Sequence, residues 1–217
     1  MGKKGLSSIT KKLIMAVTGG GLVFFLLFHG AMNVVSIFSE DGYRWICEFL
    51  GANWYAIVGT IGLAILMALH LIYAFILSFQ NFKARGRQRY AVNERPEGVS
   101  WASKNMLAIG AFVLFGLVFH LYDFWAKMQL AELKGDVPVD GIDQIKHIFS
   151  NNYISIMYLL WLVAIWFHLS HGIASVLQSI GWNNLVWKHR IEWLGKFFAA
   201  VIVLMFASVV IYYWLIV

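Results

Sequence analysis

Residues 153–177 read YISIMYLLWLVAIWFHLSHGIASVL, twenty-five positions with no Asp, Glu, Lys or Arg and with two histidines, His168 and His171. An apolar run of at least about 18 residues is long enough to cross the hydrocarbon of a bilayer as one helix. An ionisable side chain inside such a run is costly, so it is normally turned inward and retained for a site, a relay or a ligand. The stretch therefore predicts both a membrane span and something for that span to hold.

Four more long apolar runs stand beside it: Leu13–Phe38, Trp54–Phe79, Met106–Ala126 and Leu194–Val217. The whole chain is 60% hydrophobic and only 13% charged, and its mean hydropathy is +0.71, far more apolar than a soluble globular chain. The expected fold is all-α, an integral membrane bundle of five transmembrane helices forming a single domain over residues 1–217. Pro96 and Pro138 fall between the runs, so no span is interrupted by proline. Lys3, Lys4, Lys11 and Lys12 precede the first run as they would in a secretory signal. That run is longer than a signal's apolar region, and no small-residue cleavage site follows it, so it reads as the first span.

Charge sets the expected orientation. The N-terminal segment, the loop from 80 to 105 and the loop from 178 to 196 carry most of the lysines and arginines, among them Lys83, Arg85, Arg87 and Arg89. The opposite side holds most of the acids, including Glu40, Asp41, Glu48, Asp136, Asp140 and Asp143. The positive-inside rule then places the N-terminus in the cytoplasm and the C-terminus outside, in a multi-pass protein of the cell membrane. The net charge of +6 is this topological signal and gives no reason to expect a nucleic-acid partner. Anionic lipid, and through Lys83–Arg89 a soluble partner, are the expected neighbours of the basic face. Most of the tryptophans, such as Trp45, Trp54, Trp101, Trp182 and Trp214, cluster near span ends where aromatic belts anchor helices.

Four histidines, His29, His70, His120 and His168, lie in four separate spans, each about 3 to 4 residues past the span's centre, or roughly 5 Å at the rise of an α-helix. Chain direction alternates from span to span. A constant offset therefore sends His29 and His120 to the outer half and His70 and His168 to the inner half, in layers separated by something on the order of 10 Å. His171, three residues from His168 on roughly one face, is an alternative at the inner level, and depth alone leaves the two open. His147 and His189 fall in aqueous loops and read as surface residues.

Two imidazoles per level, from two helices, is an arrangement that clamps a haem iron axially. Zinc prefers about four protein ligands in a tetrahedral cluster, and neither level offers a thiolate or an acid. Cys47 is the only cysteine, which excludes an internal disulfide, a thiolate cluster and the Cys-x-x-Cys-His attachment of c-type haem. Gly19, Gly20, Gly21, Gly30, Gly110, Gly116 and Gly172 lie near the histidines and would permit close approach of a flat macrocycle, or of another helix. The expectation is two bis-histidine b haems. Such sites leave no open iron position, so they pass electrons and do not bind substrate.

The local sequences FHGAMNVV (His29, Asn33), ALHLIYAF (His70), FHLYDFW (His120) and FHLSHGIASVLQSIGW (His168) resemble the dihaem cytochrome b anchor of succinate dehydrogenase and fumarate reductase, the type with one large five-helix anchor subunit. The resemblance covers nearly the whole chain. In that family the helix-four ligand stands four and thirteen residues before glycines, which here are Gly172 and Gly181, so the resemblance favours His168 over His171. It implies His29 with His120 as axial iron ligands of the outer haem and His70 with His168 as those of the inner haem. It further implies menaquinone as the membrane substrate, and a flavoprotein subunit with an iron-sulfur subunit as partners. This chain has no dinucleotide fingerprint and no cysteine set, so succinate chemistry would belong to those partners. Glu48, before the second span, is the acid expected to handle the quinone's proton, and Arg44, Lys127 and Gln178 are candidate partners for haem propionates. The rival readings are a cytochrome b anchor of a hydrogenase or formate dehydrogenase, and a colourless transporter using its histidines as a proton or metal relay.

Overall fold

The computed structural model describes residues 6–85, 101–182 and 185–217 of the chain. Arg87, Arg89 and Pro96, and the side chain of Arg85, lie outside the described residues, and so does most of the basic segment expected to face a partner. Among the described residues the order is α1 (Ser8–Phe38), α2 (Glu40–Phe49), α3 (Trp54–Arg85), the single turn α4 (Trp101–Lys104), α5 (Met106–His120), a π-helical turn Leu121–Trp125, α6 (Gln129–Leu133), α7 (Gly141–Phe149), α8 (Asn152–Ser179) and α9 (Leu185–Ile216). No strand occurs among these residues. Five helical stretches are long and apolar enough to cross a membrane: Ser8–Phe38, Trp54–Lys83, Met106–Trp125, Asn152–Ser179 and Trp187–Ile216. The protein is a multi-pass helical membrane protein.

The helices overrun the apolar runs that predict them. α1 begins at Ser8 instead of Leu13, α3 continues to Arg85 instead of Phe79, and α9 starts at Leu185 instead of Leu194. Hydrogen bonding within a helix continues past the hydrocarbon edge, and long basic side chains such as Lys11 and Lys12 reach the water from there. The start of α1 is fixed by Ser7, whose Oγ accepts from the Thr10 N–H at 3.1 Å.

α8 and α9 form the most closely packed pair, α1 lies against α3, α8 and α9, and α5 lies against α8. At Gly195 of α9 an added Cβ would stand 2.9 Å from the Ser170 carbonyl oxygen of α8, so a side chain there would force the two backbones apart. α3 has no buried residue in its spanning part. Large apolar side chains face outward all round the bundle, including Phe24, Phe75, Phe79, Leu160 and Leu204, a surface that only lipid accommodates.

The connections on one side of the bundle are folded into a cap of α2, α6 and α7 that hydropathy did not reveal. Ser39 is extended, ends α1 and caps α2 by accepting from the Gly42 N–H at 3.0 Å, while Glu40 and Asp41 complement the dipole of α2's first turn. Asp140 caps α7 by accepting from the N–H groups of Ile142 and Asp143. Its other oxygen takes Arg44 Nε at 3.1 Å, and Arg44 also pairs with Glu40 and Asp41, while Lys146 pairs with Glu40 at 2.6 Å. Beneath these pairs α2 and α7 bury Tyr43, Ile142, Ile145, Ile148 and Phe149 against Tyr158 and Tyr213. The Tyr213 hydroxyl donates to the Ser36 carbonyl at 2.9 Å. α6 is tied in by Gln129, which accepts from Thr60 Oγ1 and Trp125 Nε1, both at 2.9 Å, and donates to the Gly51 carbonyl at 3.0 Å.

Two histidine pairs as the candidate functional site

The four intramembrane histidines meet in two pairs. His29 of α1 and His120 of α5 have ring centres 5.9 Å apart at an interplanar angle of 73°, and His70 of α3 and His168 of α8 stand 6.2 Å apart at 68°. Neither α1 with α5 nor α3 with α8 is among the helix pairs that pack closely backbone to backbone. The imidazoles therefore reach across gaps between helices. His171, the alternative inner-level residue, is half-buried and makes no ring contact with His70. His147 and His189 are exposed.

The two pairs lie at different depths, and two glycines measure the interval. A Cβ on Gly19 would touch His70 Cε1 at 3.5 Å and Nδ1 at 3.7 Å, and one on Gly110 would touch His168 Cε1 at 3.7 Å and Nδ1 at 3.9 Å. Gly19 stands ten residues before His29 on α1, and Gly110 ten residues before His120 on α5. Ten residues of α-helix span about 15 Å, an interval of the same order as the separation expected from span centres.

The pair next to the cap is boxed by aromatic rings. Phe25 stacks on His29 with centres 5.3 Å apart, and Phe206 lies 5.5 Å from it. His120 is flanked by Phe124 at 5.2 Å, Trp161 at 5.8 Å and Tyr158 at 6.4 Å. Trp161 lies directly over Gly116, where an added Cβ would overlap the indole, and donates from Nε1 to the Val113 carbonyl at 3.0 Å. The π-helical turn that follows His120 turns Phe124 onto it, and π turns are frequent at functional sites. Within this turn the Asp123 carbonyl accepts from Gln144 Nε2 at 2.6 Å, and the Asp123 carboxylate accepts from the Tyr158 hydroxyl at 2.9 Å.

Hydrogen bonding distinguishes the histidines. Asn33 Nδ2 donates to the His29 carbonyl at 2.8 Å and lies 3.3 Å from His29 Nδ1, while the Tyr43 hydroxyl donates to Asn33 Oδ1 at 3.3 Å. The Nδ1 atoms of His70, His120 and His168 are buried with no partner, while the Nε2 atoms are not among the buried unpartnered atoms. Burial raises the Tyr43 phenol above its ordinary range, so it is a neutral hydroxyl able to donate and accept. Beside it, burial pushes the Cys47 thiol up to about 11.

The other expected site residues stand apart from the pairs. Glu48 is exposed in the last turn of α2, where its carbonyl accepts from Asn53 Nδ2 at 3.1 Å. Arg44 is engaged by three carboxylates of the cap, and Lys127 sits 5.7 Å from the centre of the Tyr122 ring. Asp123 with Tyr158 was not singled out from sequence. Its signal was available, since Asp123 is a carboxylate inside the third apolar run. The equal Gly19–His29 and Gly110–His120 spacings were equally readable.

No group of three or more His, Cys, Asp or Glu side chains converges among the described residues. Each level thus brings together two imidazoles. No protein-family model matches the chain, and no curated protein and no solved structure matches it either.

Proposed function

We propose that the chain is the membrane anchor and electron-carrying cytochrome b of a succinate:quinone oxidoreductase. The observation that carries this reading is the pair of imidazole pairs, each with ring centres about 6 Å apart. Two imidazoles that present a nitrogen to one metal ion from opposite sides, at about 2 Å each, have ring centres at roughly that separation. Two ligands per level suit an ion that arrives with its remaining ligands, as porphyrin iron does. Neither α1 with α5 nor α3 with α8 packs closely backbone to backbone, and the His70 and His168 rings lie against the bare backbone at Gly19 and Gly110. A b haem held at each level, by His29 with His120 and by His70 with His168, would supply one-electron chemistry.

The residues of the chain then do three things. The paired imidazoles would hold such groups at two levels about 15 Å apart along the bundle. The aromatic box of Phe25, Phe124, Tyr158, Trp161 and Phe206 keeps water from the cap-side level. An acid near that level takes or gives the proton of a membrane quinol, menaquinol by the family resemblance. Asp123, three residues beyond His120 and bonded to Tyr158, is better placed for this than the exposed Glu48. The cap side is the side that the charge pattern puts outside. The basic face opposite would receive the iron-sulfur and flavoprotein subunits, which carry out the succinate chemistry.

Purification from native membranes tests this reading. Two b haems per chain, and copurification with a flavin-containing subunit and succinate-oxidising activity, are the expected results. A nickel or molybdenum partner would assign the anchor to another respiratory enzyme, and colourless protein would remove the cytochrome reading.

A further inference from the structure

One histidine of the four is wired to the cap. Asn33 lies one turn beyond His29 on α1, and a carboxamide inside a span needs partners of its own. It finds them on both sides. Its Nδ2 serves the His29 carbonyl at 2.8 Å and faces Nδ1 at 3.3 Å, and its Oδ1 accepts from Tyr43 at 3.3 Å. Tyr43 is 8% exposed and belongs to the buried seam between α2 and α7. There Gly141, the first residue of α7, stands so close that an added Cβ would meet the Tyr43 ring at 3.0 Å and Cys47 Sγ at 2.7 Å. The position of α7 thus fixes Tyr43, Tyr43 fixes Asn33, and Asn33 fixes the Nδ1 edge of the His29 ring.

We propose that Asn33 and Tyr43 are positioning residues that set the orientation and basicity of the His29 imidazole, and so tune the cap-side redox level separately from the far one. The proposal rests on the cytochrome reading. The chain of bonds can run either way. An amide has a donor end and an acceptor end, and a hydroxyl can act as both. If Nε2 of His29 is engaged by a metal, Nδ1 carries the proton, and the amide turns over, exchanging its Nδ2 bond to the His29 carbonyl for one in which Oδ1 accepts from Nδ1 and Nδ2 donates to the Tyr43 hydroxyl. A ligand histidine that donates its second N–H to such an acceptor becomes more basic and more firmly oriented, which favours the more positive, oxidised ion. His70, His120 and His168 have no such partner.

The test is a redox titration of the haems in the intact membrane complex, with the low-spin EPR signals recorded alongside, for wild type, Asn33→Leu, Asn33→Asp and Tyr43→Phe. His29→Ala identifies the cap-side signal by its loss. Asn33→Leu, which keeps the shape and removes the bonds, should raise the cap-side potential by about a tenfold change in the ratio of reduced to oxidised form, or ~59 mV for one electron. Tyr43→Phe should shift it less in the same direction, Asn33→Asp should shift it in the opposite direction, and the far centre should stay unchanged throughout. Tyr43→Phe retains the buried ring and carries the test if Asn33→Leu does not assemble. Cap-side potentials and EPR signals equal to wild type in variants that retain both haems would overturn the proposal and leave the cytochrome reading standing. Wild-type protein without haem would overturn both.

Discussion

The cap-side and far histidine pairs share a spacing and differ in nearly everything around it. His29 and His120 sit in a box of aromatic rings beneath a folded cap, and one of them is hydrogen-bonded through its side chain. His70 and His168 lie against the bare helix backbone at Gly19 and Gly110, and α3, which supplies His70, buries none of its spanning residues. One level is held by specific contacts, the other by the closeness that glycine permits. Evenly spaced imidazole pairs are thus given different surroundings, and under the proposed cytochrome reading it is the surroundings that would separate the two potentials.

The largest effects should come from the ligands themselves. His120→Ala should remove the cap-side haem and spare the far one, and His168→Ala should do the reverse, as read from haem-to-protein ratio and optical spectra. Loss of both haems in each variant would merge the two levels into one site. His171→Ala should keep both haems, since the ring that meets His70 is that of His168. Next in size is the proton step. Asp123→Asn should lower quinol turnover by about 10²-fold, the lower end of what a positioned acid or base contributes, with both haems retained. Glu48→Gln should lower it less, and the reverse ranking would return the role to Glu48.

A bulky side chain at Gly110 sharpens the contrast between the levels. Gly110→Leu should displace His168 and weaken far-haem retention by roughly tenfold, within the range seen when support around a metal ligand is lost, while the cap-side spectrum stays as in wild type. The smallest effect belongs to the cap's surface. Arg44→Ala removes three ion pairs of a side chain 36% exposed, and exposed, screened pairs contribute little to stability. Thermal stability should therefore fall by only a few degrees, with both haems kept.

The five spans were legible because hydropathy is a one-dimensional signal that the bilayer enforces. Partner choice among the histidines was legible too, since alternating chain direction puts His29 at the level of His120 and His70 at the level of His168, and the rings meet in those pairs. The cap escaped because α2 and α7 are short and their stability is tertiary, resting on contacts such as Arg44 with Asp140, 96 positions apart. Asp123 drew no attention because its partner, Tyr158, is 35 positions away and identifiable only once α5 and α8 lie together. Asn33 was visible as part of the motif around His29, whereas its link to Tyr43 depends on the extended residue Ser39 turning α2 back over the bundle.

The central claim is that each imidazole pair grips one iron. Its most direct test is quantitative haem extraction from the purified wild-type chain, combined with EPR of the oxidised protein. Two b haems per polypeptide, both low-spin with two nitrogen axial ligands, are predicted. A chain with no haem, or with high-spin iron bearing an open axial position at either level, would contradict the account.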